Sequence, residues 1–341
     1  MEKESLVRDY MSQGLLRDQC LGIVNLSKNQ FYYLPNGKRV GKASSVITTW
    51  RDPQTHTRYE IDNKEVINKV VEIKLNPDHS NWYRMITITL NIMGYYINHK
   101  KVYRLMFEHL LLDDEPKIKG KDYVKYRRVA PTKPLQIIEM DIKYVWISGD
   151  RKYAFVLTIL DTFTRYVLHW VVGYTMKSEQ VKHAWEYVIA EYLQSTNIHL
   201  RDVEVEVRTD NGKQFEAKII RSFFEENNVH HVFTHPYTPE ENGHVESFHS
   251  ILAKAMSRDK FDRLSDLEKR LERFYSCYVN DRSHSGTKGV PPAKYWALFE
   301  MGKIEVIPMQ HNEIRIRLKV AYQEILSLPD IDKYQYRVIR A

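Results

Sequence analysis

Apolar positions in the front third of the chain recur at helical spacing, whereas those after residue 131 run in continuous or alternating stretches of strand length. In the front third this predicts short helices over Glu4–Met11, Leu16–Val24 and Lys28–Leu34, with Ser27 placed to accept a backbone N–H at the start of the third. Helix, tight turn, helix, with Lys28, Asn29, Gln30 and Tyr33 on the last element, is a helix-turn-helix pattern. A small three-helix packing unit has the same spacing. Residues 35–62 keep no period, and the turn signals Pro35-Asn-Gly37 and Asp52-Pro53 predict a linker, basic through Lys38, Arg39 and Lys42. Helical pattern returns over Lys64–Leu75 and Arg84–Met93, closed by Gly94 as a C′ residue. Asn98 can cap a further helix, Lys100–Leu111, with Val102, Leu105, Met106, His109 and Leu110 on its apolar face and Lys100, Lys101 and Arg104 on the other. This is a second helix-turn-helix candidate.

The segment Lys117–Arg128 holds six basic residues, one acidic residue and two tyrosines. Basic residues interleaved with aromatics, here including Lys125, Arg127 and Arg128, suit phosphate and base contacts, and equally a solvated linker. Beyond Pro131 and Pro134 the pattern predicts strands over Ile137–Ile147, Lys152–Leu160, Arg165–Tyr174, Val203–Thr209 and Val229–Thr234. Helices are predicted over Ser178–Gln194 (capped by Ser178), Lys213–Asn227, Glu240–Ser257 and Leu264–Asp281. The order βββαβαβα, with the first three strands joined as hairpins, is an α/β mixed sheet flanked by helices. The expected domains are a helix-turn-helix unit over 1–34, a linker over 35–62, a second helix-turn-helix-like unit over 63–113, a basic linker over 114–133, the core with its C-terminal helix over 134–300, and a β-rich tail over 301–341.

Composition narrows the function classes. No apolar run approaches the ~18–20 residues of a membrane helix, and the start carries no secretory h-region, so no membrane partner is expected. Two cysteines, Cys20 and Cys277, exclude a disulfide scaffold and a four-cysteine zinc site and fit a reducing compartment. The net charge of +7 is unevenly placed: residues 1–130 hold 22 Lys+Arg against 15 Asp+Glu, while the remainder balances at 29 against 29. A polyanion would therefore bind the front third.

Three carboxylates stand out. Asp141 lies inside the first core strand, where burial is costly unless the group is paired or binds a cation. Asp210 ends the fourth strand, before Asn-Gly212, at the strand ends where open α/β sheets bind ligands. Glu246 follows after 35 intervening residues on a predicted helix. Each alone has a bland reading as an edge-strand, turn or helix-surface residue. Together they form an all-oxygen donor set suited to Mg²⁺ or Mn²⁺, and two such ions can serve phosphoryl transfer. His230, His231, His235, His244 and His249 cluster in sequence near Glu246 but lack zinc-ligand spacing. His249 is expected beside the site or on a phosphate, Asp161 reads as a polar strand end, and Arg282 and His284 as DNA-facing or merely surface residues.

The segments Met140-Asp141-Ile-Lys-Tyr144, Leu157-Thr-Ile-Leu-Asp-Thr-Phe-Thr-Arg165, Thr209-Asp-Asn-Gly-Lys-Gln-Phe215 and Thr238-Pro-Glu-Glu-Asn-Gly-His-Val-Glu246 resemble the catalytic core of the retroviral-integrase superfamily. With Ile97–Met106 before the core and Asn280–His284 after it, residues 5–295 resemble the second-reading-frame product of a bacterial insertion-sequence transposase. The resemblance implies a ribonuclease-H-like core, with Asp141, Asp210 and Glu246 as a metal-binding catalytic triad for two Mg²⁺ or Mn²⁺ ions. It implies cleavage of double-stranded DNA at element ends, strand transfer by a freed 3′-hydroxyl, self-association in a synaptic complex, and a cytoplasmic, nucleoid-associated protein. An upstream-frame product, joined as a fusion, would supply a further helix-turn-helix and a coiled coil; this chain has no long heptad stretch. Two positions depart from the family pattern. The basic residue expected seven after the Glu is Ala253, with Lys254 one later, about 80° round the helix from Glu246. Ser80-Asn-Trp-Tyr-Arg-Met replaces a glycine-containing motif, and Trp82 is expected to fill core space. The rival classes are a non-catalytic DNA-binding regulator or inactive derivative, and an RNA-strand nuclease; the helix-turn-helix units favour duplex DNA.

Overall fold

The computed structural model describes residues 2–32, 45–113, 129–195, 205–235, 241–309 and 314–325. Lys38, Arg39 and Lys42, the basic run with Lys125, Arg127 and Arg128, the tail from 326 onward and the side chain of Asn29 lie outside the described residues.

Residues 1–46 are a separate compact unit. Helices α1 (Glu2–Ser12), α2 (Arg17–Ile23) and α3 (Lys28–Phe31) bury Val7, Cys20, Leu21 and Phe31 against one another. Ser27 caps α3 as expected: its hydroxyl accepts from the Gln30 amide while the Gln30 side chain accepts from the Ser27 amide.

The second unit begins at Ile47. From residue 47 the expected linker gives way to strands. Ile47–Arg51 is strand β1 and Arg58–Asp62 strand β2, an antiparallel hairpin whose turn holds the Asp52-Pro53 signal. Thr, Trp, Tyr and Ile supply its strand propensity, which the turn residues around it obscured. Helices α4 (Asn63–Leu75), α5 (Tyr83–Ile92) and α6 (His99–Glu108) follow, with strand β3 (Tyr95–Tyr96) adding to β1. Val66, Val70, Ile86, Leu90, Val102, Leu105 and Met106 form their core. Gly94 turns at φ +94°, and a Cβ there would meet the Arg51 carbonyl at 2.2 Å. Asn98 caps α6 by accepting from the Lys101 amide. Leu110, expected on the buried face, lies past the end of α6 and is exposed, as is His109. Trp82 is also corrected: it sits at the N-cap of α5, 47% exposed, beneath the Arg84 guanidinium.

The core sheet contains β4 (Ile137–Ile147), β5 (Lys152–Asp161), β6 (Val167–Gly173), β7 (Val205–Thr209) and β8 (Val229–Phe233) in the order β6-β5-β4-β7-β8. β4, β5 and β6 are antiparallel neighbours, and β7 and β8 join parallel to β4. A three-strand meander extended by two parallel strands is the ribonuclease-H-like arrangement. Helix α7 (Ser178–Val188) begins with Ser178 rather than being capped by it; the Gln180 side chain accepts from the Lys177 amide instead. It continues as a π-helical turn over Ile189–Gln194. The helix predicted over 213–227 is broken at Ala217 into α8 (Lys213–Glu216) and α9 (Lys218–Glu226).

Alternation along β4 divides the packing. On one face Met140 meets the indole of Trp185 from α7, which in turn packs on Phe224 from α9. The opposite face receives α10 (Gly243–Ala255) and α11 (Leu264–Asn280). Tyr275 stacks on Trp170 and shares a 2.7 Å hydrogen bond with Thr158. Helix α12 (Pro292–Glu300), the hairpin β9 (Ile304–Pro308) and β10 (Ile314–Leu318), and α13 (Tyr322–Ile325) complete the unit. Ile92, Phe163, Tyr295, Leu298, Ile304 and Ile325 form one cluster, so the tail hairpin packs between the helical module and the core.

A buried ion pair locks the module to the core. Arg270 on α11 grips both carboxylate oxygens of Asp78, at 2.6 and 3.0 Å, and donates to Asp259 at 2.7 Å. Arg282 donates to the Asp78 carbonyl, and Thr89 meets Ser283 at 2.7 Å. Arg270→Leu is expected to cost about 3–5 kcal/mol of unfolding free energy, because Asp78 then stays buried and unpaired. Urea denaturation measures this, and a loss below about 1 kcal/mol contradicts it.

Burial also holds histidines neutral: His169 and His231 are pushed down to about 4 and His284 to about 3. Unfolded, each would take a proton near pH 6.5. The stability they contribute is therefore complete above that pH and is lost as pH falls toward 4. His169→Phe is expected to flatten the pH dependence of unfolding free energy by up to ~1.4 kcal/mol per pH unit in that window. An unchanged slope contradicts the assignment.

Candidate active site

The parallel register of β4 and β7 aligns Glu139 with Arg208, and extending it by two residues sets Asp141 beside Asp210. Asp141 is half-buried, and its Oδ1 accepts from the Ile142 amide at 2.7 Å. Asp210 stands just past the end of β7, where its Oδ1 accepts from the Gly212 amide at 3.1 Å. Gly212 has an ordinary φ of −67°. A Cβ there would meet the Gln214 side-chain amide at 2.4 Å and the Asp210 carboxylate at 3.0 Å, so a larger residue would push on the group that Asp210 presents. Asn211 ties the loop to the Thr234 carbonyl at the end of β8.

Desolvation raises the Asp210 carboxyl above its ordinary range, and the neighbouring charge of Asp141 raises it further. Two carboxylates in this relation repel until a cation or proton comes between them. Their all-oxygen chemistry fits a hard divalent ion.

Glu246 rides on α10 and is exposed. Among the described residues no three His, Cys, Asp or Glu side chains gather closely enough to hold an ion. The structure brings Asp141 and Asp210 together and carries Glu246 on α10, the helix packed against β4. The histidines likewise form no metal cluster among the described residues.

Side chains of β4 and α10 join the two elements, and of these sequence reasoning singled out Asp141, His244 and His249 but not Glu139. His249 is buried, with its Nδ1 3.2 Å from Asp141 Oδ2. It faces the carboxylate, the first of the two positions expected for it, beside the site. Glu139 was missed. Fully buried, it accepts from the His244 and Val245 amides at 2.9 and 2.8 Å, and its other oxygen lies 3.1 Å from His244 Nδ1. Burial pushes its carboxyl up to about 7, against the pull of the Val245 amide and of Arg165 and Arg208. The signal was available: Glu139 shares a strand face with Asp141, in the same apolar run.

Asp161 is the strand-end residue expected. Its carboxylate is buried and accepts from the Leu135 and Thr164 amides at 2.8 and 2.7 Å. Arg282 and His284 are engaged internally rather than at the surface: Arg282 on the Asp78 carbonyl, His284 accepting from the Gly286 amide.

The candidate DNA contacts divide. Lys28, Lys100 and Lys254 are exposed. Gln30 is used in the α3 cap, and Arg104 lies 3.5 Å from Glu108. Lys101 turns inward to the Ile47 carbonyl and the Thr48 hydroxyl, at 2.7 and 2.8 Å.

The integrase core domain family matches residues 131–239, and a second integrase core domain profile matches 227–292. Residues 131–292 thus carry an integrase core domain. It is 25% identical over 204 residues to an uncharacterized 39.2 kDa protein of insertion element IS476 from Xanthomonas euvesicatoria, covering 59% of this chain and 56% of that one. It is 24% identical over 226 residues to InsK of Escherichia coli, provisionally assigned as the transposase of insertion sequence element IS150, covering 62% and 76%. This integrase core chain thus spans little more than half the length of the IS476 protein. The catalytic core domain of BIV integrase overlaps it with a TM-score of 0.36 at 20% identity, over 50% of this chain and 98% of that one. That overlap is too slight to carry the fold assignment, which rests on strand order.

In this integrase core, Asp141→Asn is expected to lower the Asp210 carboxyl pKa without returning it to the ordinary value, because desolvation persists. Carboxyl carbon NMR titration reads this directly, and no movement of Asp210 means the two groups are not neighbours.

Proposed function

We propose that the chain is a DNA transposase that cuts at the ends of its element and joins the freed 3′-hydroxyl to a second DNA site. The observation that carries this reading is the pairing of Asp141, inside β4, with Asp210, just past the end of β7, and Glu246 on a helix clipped to β4. Asp141, Asp210 and Glu246 would hold Mg²⁺ or Mn²⁺, two ions in all. Bound there, such ions supply activation of the attacking oxygen and stabilisation of the leaving one.

The reaction proceeds in two in-line displacements. Water attacks a phosphodiester at the element end; a P–O bond forms, the P–O3′ bond breaks, and the departing oxygen takes a proton to become the 3′-hydroxyl. That hydroxyl then attacks a phosphodiester of target DNA, forming a new P–O3′ bond as the old 3′-oxygen leaves protonated. The carboxylates orient both oxygens in line, and His249 steadies Asp141 while they do so.

Duplex DNA is the partner. The exposed Lys28 on α3, Lys100 on α6 and Lys254 on α10 are the proposed phosphate contacts, with Lys125, Arg127 and Arg128 from the basic linker. Two element ends must meet, so at least two copies assemble on DNA, and an upstream-frame fusion would add a further DNA-binding element.

The test is cleavage and strand transfer on labelled DNA bearing the element ends, with Mg²⁺ or Mn²⁺. Glu246→Gln and EDTA are each expected to abolish nicking, by at least about 100-fold, while DNA binding persists. Binding without nicking, unchanged when the upstream-frame fusion is supplied, would replace this reading with a non-catalytic DNA-binding regulator.

A further inference from the structure

We infer that Glu139 is a positioning residue that sets Glu246 against Asp141 by capping α10 from the neighbouring strand. This rests on the three-carboxylate reading above.

A helix start leaves backbone N–H groups unpaired, and the N-cap side chain ordinarily receives one. Here the N-cap is Asn242, whose side chain makes no such bond although it is buried. The acceptor comes from 105 residues away in sequence: Glu139 Oε2 takes the amides of His244 and Val245. Glu139 is 0% exposed between Ile138 and Met140, both 0% exposed. A carboxylate in that setting is destabilising unless its oxygens are received, and an apolar side chain would fill the strand at no such cost. Its polar contacts converge on the first turn of α10.

The spacing explains what those contacts do. From His244 to His249 is five helical residues, about 7.5 Å of rise, and from Glu139 to Asp141 is two strand residues, about 6.6 Å. The two elements therefore advance together. Glu139 holds the helix at its start, and His249 meets Asp141 Oδ2 at 3.2 Å one turn further on. Glu246 lies between the two clips, one residue past Val245. It is about 60° round the helix from His249. A slide of α10 along its axis would stretch the Glu139 bonds and move Glu246 relative to Asp141 by the same amount. Glu139 touches no reacting atom in this account.

The test titrates the full chain with Mn²⁺ by electron paramagnetic resonance and follows amide hydrogen exchange at His244 and Val245. Glu139→Leu keeps the volume and removes both acceptors. Glu139→Asp keeps the charge and draws the carboxylate back by one methylene. Glu139→Gln keeps a carbonyl oxygen for the two amides. Leu and Asp are expected to weaken Mn²⁺ binding roughly 10-fold and to speed exchange at both amides, while Gln restores binding and protection toward wild type. Should Glu139→Leu fail to fold, Glu139→Asp decides. Wild-type Mn²⁺ affinity and amide protection in Glu139→Asp overturn the inference, provided Glu246→Gln does weaken binding. If Glu246→Gln binds Mn²⁺ like wild type, the three-carboxylate reading falls and this inference with it.

Discussion

Strand β4 is the element on which the rest of the core depends. It pairs antiparallel with β5 along its full length and parallel with β7 at its start, so its register is set from both sides. A one-residue slip would send Glu139 and Asp141 to the α7 face and Met140 to the α10 face. Both faces are packed, so the slip would bury two carboxylates without partners. The strand that must hold Asp141 beside Asp210 is thereby the strand least able to move.

The chemistry is arranged asymmetrically around that strand. Asp141 lies inside a ladder-bonded strand and Asp210 directly after one, whereas Glu246 lies on a helix held by side chains. Desolvation and like charge raise the Asp210 carboxyl, an unfavourable state that a cation would relieve. The helix-borne carboxylate is exposed. On the proposed reading, a site built this way would keep two ligands preorganised and leave the third to be set by how α10 is clipped to β4.

Much of this was legible in the chain. The five core strands fall where continuous apolar runs and alternation put them, because a sheet covered on both faces demands such runs. Ser27, Asn98 and Gly94 act at helix ends as their chemistry predicts. The β1–β2 hairpin was illegible because five-residue strands beside a Pro-containing turn read like linker. Trp82 was misplaced because its size suggests burial, while an N-cap position turns it to solvent beneath the Arg84 guanidinium. Lys101 could not be judged from periodicity: its partners, Ile47 and Thr48, lie more than fifty residues away. Glu139 was overlooked for a related reason, since its amide partners belong to a helix 105 residues distant.

The most direct test of the central claim is anomalous diffraction at the manganese edge from the chain bound to element-end DNA. The account predicts one ion between the Asp141 and Asp210 carboxylates and a second that includes Glu246, both against the phosphate to be cut. Manganese bound elsewhere, or an Asp141–Asp210 pair with no ion between them in the DNA complex, would contradict it.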